Sequence, residues 1–355
     1  MQTFFIVAIL ALGFLITFQI AKASEYVGVL RGEERARKQT NRVNAFLLLL
    51  FLIVGLIGVY YCNEKLEGKF LGAPASDHSV LIDRMLYITI AITFIVFLIT
   101  QIALFWFSFK YQSSEKRKAF FYPHNNKLEL IWTVIPAIAL TVLVGFGLFY
   151  WFKITGKAPK EAMEVEVIGS QFKWEFRYPG KDGPGGKGIF GKKYYKSMDE
   201  ANGNPLGQLW DDPANHDDVY VSGEALHLVV NKPVQLIIGA KDVIHDVGLA
   251  HFRMKMDAVP GTPTTMWFTP TKTSRQMIEE SGNPDFVYEI SCDQMCGKGH
   301  TGMRGTIIVE TQEEFDIWMA TKKPQYLVAN PGKDPAAAPI DTATAKPVAV
   351  VTDGK

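Results

Sequence analysis

The sequence predicts a membrane-anchored chain: α-helical transmembrane segments, four spans in all, followed by an all-β Greek-key sandwich or barrel. Three observations lead there. Apolar runs at roughly 3–20, 43–61, 85–107 and 131–152 fill the N-terminal part of the chain. From Glu161 the hydrophobic pattern turns to alternation, as in Glu164-Val165-Glu166-Val167-Ile168. Turns then recur, with little helical pattern before residue 312.

Each apolar run approaches or meets the roughly 20 residues a helix needs to cross the hydrocarbon core. A helix buried in a soluble protein keeps a polar face, and Leu47 to Val54 has none. Basic residues set the orientation. The first connection carries Lys22, Arg31, Arg35, Arg37, Lys38 and Arg42, and the third carries Lys110, Lys116, Arg117, Lys118 and Lys127. The second, around 62–84, has only Lys65, Lys69 and Arg84, with acids between them. Connections one and three therefore face the cytoplasm, and both termini lie outside. Reading the first run as a signal peptide cleaved after Ala21-Lys22-Ala23 conflicts with this. Met1-Gln2-Thr3-Phe4-Phe5 has no basic start, and three spans would leave the basic 22–42 segment outside.

Strand-like alternation recurs in His227-Leu228-Val229-Val230 and in Thr306 to Glu310, and Glu313 to Trp318 reads as a short closing helix. The domains follow: 1–42, first span and basic loop; 43–83, second span and outer loop; 84–158, a transmembrane hairpin; 159–323, the β domain; 324–355, a flexible tail rich in Pro, Ala and Thr. Within the β domain, 180–222 reads as an inserted solvated loop, with a partner surface as its functional alternative. The net charge of +1 lacks the strong basic bias of nucleic-acid binding, so the expected contacts are lipid and protein. Of the three cysteines, Cys62 closes an apolar run and is expected as an inert buried thiol; the other two share one loop.

That loop is the chemical centre of the sequence. Cys292 and Cys296 are four residues apart, His300 follows four later and Met303 three after that. Thiolate, imidazole and thioether together select copper, zinc or iron–sulfur over hard cations, and a thioether favours copper over zinc. One blue copper needs a single Cys, so the second thiolate points to two copper ions sharing both sulfurs. A further imidazole is needed. His245 is preferred because it follows the β-branched run Val234 to Ile238; His251 is its competitor. Asp242 and Asp246 flank His245 as candidates to orient it.

Asp242-Val243-Ile244-His245, Lys255-Met256-Asp257-Ala258-Val259-Pro260-Gly261 and Cys292-x3-Cys296-Gly297-x2-His300-x2-Met303 together resemble subunit II of proton-pumping haem–copper cytochrome c oxidases, with two extra N-terminal spans. The resemblance implies a cupredoxin-like domain carrying dinuclear copper, CuA. Its ligands would be His245, Cys292, Cys296, His300, Met303 and the backbone carbonyl of Gln294. It also implies the partners: subunit I with haem a and CuB, subunit III, and a c-type cytochrome donor, at a bacterial inner membrane with the copper domain outside. No Cys-x2-Cys-His haem motif occurs in this chain, so oxygen chemistry is assigned to subunit I. His124-Asn125-x2-Leu128-Glu129-x2-Trp132-Thr133-x2-Pro136 resembles the entry to the family's second hairpin helix, which makes Glu129 a candidate mouth of a proton path.

Two positions depart from the family pattern. Gly169-Ser170-Gln171-Phe172-Lys173-Trp174 has Phe172 where the electron-entry tryptophan stands, with Trp174 at the second aromatic position. Lys173 adds positive charge there, which favours a fixed donor, such as a supercomplex cytochrome domain, over diffusing basic cytochrome c. Gln294 replaces a glutamate whose carboxylate holds magnesium; an amide oxygen can still ligate Mg²⁺, without a formal charge. Quinol oxidase subunits lack the copper ligands, and nitrous oxide reductase needs a His-rich domain that seven histidines do not supply. A copper chaperone would have no use for the hairpin motif.

Overall fold

The computed structural model describes residues 2–66, 69, 71–114, 117–183 and 186–333. The chain divides into a helical unit and a β unit, the latter taking in Leu71–Asp83 and the chain from Leu148 onward. Four helices come first: α1 (Gln2–Arg31), α2 (Glu33–Lys65), α3 (Asp77–Lys110) and α4 (Asn126–Ile154). The stretches Glu34–Lys65, Asp77–Lys110 and Asn126–Ile154 are long and apolar enough to cross a membrane, and α1 carries the shorter apolar stretch Ala11–Ile20. Each helix overshoots its apolar run, because backbone hydrogen bonding does not stop where hydrocarbon ends. The 34 residues of α3 reach about 50 Å, well beyond a core of about 30 Å.

Within the helical unit α2 and α3 meet at Phe51 and Phe105, the two rings 5.8 Å apart, and Ala45 of α2 is buried. Leu, Ile, Val and Phe side chains elsewhere on α2, α3 and α4 face outward, as lipid-facing helices require. Cys62, expected buried, lies exposed on α2, because none of the described residues covers that end of the helix.

The β unit contains β1 (Met163–Ser170), β2 (Lys173–Tyr178), β3 (Val219–Ser222), β4 (Leu226–Val229), β5 (Val234–Ala240), β6 (His245–Leu249), β7 (Met254–Ala258), β8 (Thr264–Phe268), β9 (Tyr288–Cys292) and β10 (Arg304–Glu310). They form a sandwich of two five-stranded sheets, ordered β3-β2-β1-β5-β8 and β4-β10-β9-β6-β7. The chain crosses between the sheets after β3, β4, β5, β7 and β8; β1 pairs with β5 and β4 with β10 in parallel, while the other pairs are antiparallel. The period-two pattern fixes which side faces in. Val165 and Val167 of β1 stand beside Leu236 and Ile238 of β5, all four fully buried. Leu228, Val247, Ile290 and Ile307 belong to the same core.

Little helix lies in the β domain before residue 312: α5 (Ser274–Ser281) is eight residues long, started by a capping box in which Thr273 and Gln276 accept each other's backbone N–H. Two sequence expectations need correction. The segment 180–222 is neither wholly a loop nor wholly solvated. Val219–Ser222 is β3, and Asn215 and Asp218 are buried because Arg177 of β2 needs their oxygens. Of the expected flexible tail, Gln325–Ala329 is a short helix, α7, after the closing helix α6 (Gln312–Ala320). Gln325 is buried, its N–H donating to Asp218 O and its side-chain amide to Gly203 O. Residues 334–355 of that tail lie outside the described residues.

Candidate metal centre

Sheet pairing assembles the site from distant parts of the chain. β6 opens on His245, β9 ends on Cys292, and Val247 pairs with Cys292 across them. β9 also pairs with β10 through Ser291 and Arg304, so 292–303 is a hairpin connection; the Cys292 N–H closes it on Met303 O at 3.2 Å. Gly297 sits at φ +137°, a conformation L side chains rarely adopt, where the connection turns back toward the 3-10 turn His300–Gly302.

Cys292 Sγ lies 3.7 Å from Cys296 Sγ, too far for a disulfide and close enough for both sulfurs to share metal. Each sulfur faces one imidazole through its Nδ1: Cys292 to His245 at 3.7 Å and Cys296 to His300 at 3.6 Å. Met303 Sδ stands 3.9 Å from Cys296 Sγ, and Gln294 O stands 3.2 Å from Cys292 Sγ. Cys292, Cys296, His245 and Met303 are all buried. In the metal-free chain, burial and the adjacent Cys292 sulfur push the Cys296 thiol up to about 11.

The outer contacts separate the candidates named from sequence. Asp242 accepts the Nε2 proton of His245 at 2.8 Å, leaving Nδ1 free to ligate. Its carboxyl is raised by burial but held below the usual carboxylate range by hydrogen bonds from His245, Gln171 and Val243. Asp246, one residue along β6, faces the other side and stands opposite Asp257; desolvation and that second carboxyl push it up to about 6. His251 is not part of the cluster: it bonds Ala73 O and packs its ring edge-on against Phe286 and Tyr288. Gly169 makes room for His245, whose ring a Cβ there would meet at 3.0 Å.

Trp174 is buried, with its ring 6.1 Å from that of His245. Phe172 is 40 % exposed, and its ring lies against Gly297 and Gly299 of the sulfur loop. The positive charge that Lys173 adds is paired with Glu175 at 3.0 Å and Glu200 at 3.5 Å. Gln294 turns its side chain to solvent. Glu129 sits exposed in the first turn of α4, its carboxylate accepting the Asn125 N–H at 3.4 Å. Sequence reasoning assigned no role to Gln171. Its amide donates to Cys296 O at 2.6 Å, and its N–H donates to Asp242 at 2.7 Å. Its position beside Phe172 was the only signal.

Two adjacent unbonded thiols with imidazole nitrogens, a thioether and a carbonyl around them form a donor set suited to copper. Among the described residues, His245, Cys292 and Cys296 bring their ligand atoms within 4.8 Å of one another. The models of two domains match this chain: cytochrome c oxidase subunit II, transmembrane domain, over 72–149, and its periplasmic domain over 163–311. The alternative cytochrome c oxidase subunit 2 of Bradyrhizobium diazoefficiens is 31% identical over 277 residues, covering 78% of this chain and 91% of that protein. The chain belongs to the cytochrome c oxidase subunit II family. The cytochrome c oxidase subunit 2 of Thermostichus vulcanus is 29% identical over 268 residues, 70% of this chain and 77% of that one. Among solved structures, the periplasmic domain of subunit II of cytochrome oxidase of Bradyrhizobium japonicum matches at 21% identity and a TM-score of 0.32, covering 48% of this chain and 99% of that one. Helices α1 and α2 both precede the matched subunit II transmembrane segment, which begins at residue 72.

Proposed function

We propose that this chain is the electron-entry subunit of a proton-pumping haem–copper cytochrome c oxidase. It would take electrons from a c-type haem outside a bacterial inner membrane and deliver them to haem a of subunit I, where oxygen is reduced to water. Dinuclear copper supplies one-electron redox chemistry when bound. The observation that carries the reading is the 3.7 Å separation of two unbonded sulfurs, each faced by an imidazole nitrogen.

The residues divide the work. Cys292 and Cys296 would hold the copper through their sulfurs, His245 and His300 would each add a nitrogen, Met303 a thioether and Gln294 a carbonyl oxygen. Phe172, exposed and against the sulfur loop, is the proposed entry point, with buried Trp174 as support for His245. The donor is read as a fixed c-type partner, since Glu175 and Glu200 are engaged by Lys173 and Lys241 rather than free to attract a basic cytochrome. Glu129 is proposed to open a proton path into subunit I. The exposed Gln294 amide is a neutral magnesium ligand candidate at that interface; subunit III completes the expected partners.

The test is rapid-mixing reduction of the assembled oxidase by a reduced c-type cytochrome. In the Cys296→Ser complex, haem a should no longer be reduced on the parent timescale. Reduction at the parent rate would contradict the assignment.

A further inference from the structure

Gln171 occupies the turn between β1 and β2 and touches both ligand-bearing loops at once. Its side-chain amide donates to the carbonyl of Cys296 at 2.6 Å. Its backbone N–H donates to Asp242 Oδ2 at 2.7 Å, and the other oxygen of that carboxylate holds His245 Nε2 at 2.8 Å. The next residue, Phe172, lays its ring on the same loop: a Cβ on Gly299 would meet Phe172 Cδ2 at 2.5 Å, and one on Gly297 would meet Gln171 Nε2 at 2.9 Å and Phe172 Cζ at 3.0 Å. The two glycines are therefore what lets the turn close onto the sulfur loop.

We infer that Gln171 is a positioning residue for electron entry. Its hydrogen bond to Cys296 O joins the exposed aromatic to the backbone of a sulfur ligand by a path of covalent bonds and one short hydrogen bond. Its bond to Asp242 holds the His245 loop in the same frame. This rests on the electron-entry reading above. A carboxamide suits the task because it donates to a carbonyl without adding charge beside the thiolates. Cys296 is itself buried while most of the loop around it is exposed, so the Gln171 amide is what ties this sulfur ligand's backbone to the β1–β2 turn.

The experiment uses the assembled oxidase with Gln171→Met, which keeps the stem length and removes the donor. Three quantities are read: copper content with the EPR spectrum, the per-copper rate of reduction by the reduced c-type donor, and the onward rate to haem a after flash photoreduction by a ruthenium complex. Loss of a contact just outside the ligand set is expected to slow donor reduction roughly tenfold. Copper content, EPR spectrum and onward rate should stay at parent values. An unchanged per-copper donor rate would overturn the inference, whether copper is fully retained or partly lost, since Gln171 would then serve structure alone. If Gln171→Met holds no copper, Phe172→Leu decides, because it keeps both Gln171 bonds and removes the ring. It should slow donor reduction with copper intact, and an unchanged rate overturns the proposal. A parent oxidase without dinuclear copper would refute the electron-entry reading itself, a result distinct from either variant outcome.

Discussion

Asp242 decides which nitrogen of His245 is available. By accepting the Nε2 proton at 2.8 Å, it leaves Nδ1 facing Cys292, and two backbone N–H groups keep the carboxylate in place. Asp242→Asn retains the shape but loses the charge, so copper affinity should fall about 10–100-fold, measured by competition with a chelator. The thiols set the pH dependence of loading. Copper binds thiolate, and the Cys296 thiol of the free chain is pushed up to about 11, so protons compete with metal throughout the neutral range. Apparent affinity should therefore rise with pH up to that value. A titration from pH 6 to pH 9 showing flat or falling affinity would contradict this.

At the scale of elements, β2 carries a device that the hydrophobic pattern did not reveal. Arg177 is buried, with its Nε 2.9 Å from Asp218, its Nη1 3.2 Å from Glu166 and its guanidinium 4.7 Å from the Phe190 ring. Burial pushes the Asp218 carboxyl up to about 6 even with Arg177 beside it, a sign of how much the pairing must offset. Arg177→Met leaves that carboxyl uncompensated and should cost about 3–5 kcal/mol, read by urea unfolding of the detergent-solubilised chain. The same element shows where sequence legibility stopped. The core-facing alternation of β1 and β5 was readable because one face is buried, and the closing helix α6 because its acids and aromatics repeat with helical spacing. Gly and Lys dominate the first half of the 180–222 segment, a composition that signals a solvated loop. Its burial depends on Arg177, Asn215, Gln208 and Asp218 meeting across long separations, which no local pattern records. Helix α5 is legible only in its Thr273–Gln276 capping pair, because eight residues are too few to set up a periodic pattern.

For the whole molecule, long apolar runs announced the membrane helices, and spacing announced the sulfur loop. The ligand set, the competing His251 and the choice between Asp242 and Asp246 needed the sandwich, because β6, β9 and β10 must pair before His245 meets Cys292. The central claim is that this frame is built for two copper ions, and metal counting with EPR on the copper-loaded full chain in detergent tests it most directly. The account predicts two coppers per chain sharing one unpaired electron, lost in Cys292→Ser and in Cys296→Ser. One blue copper, or zinc alone in a folded chain, would contradict it.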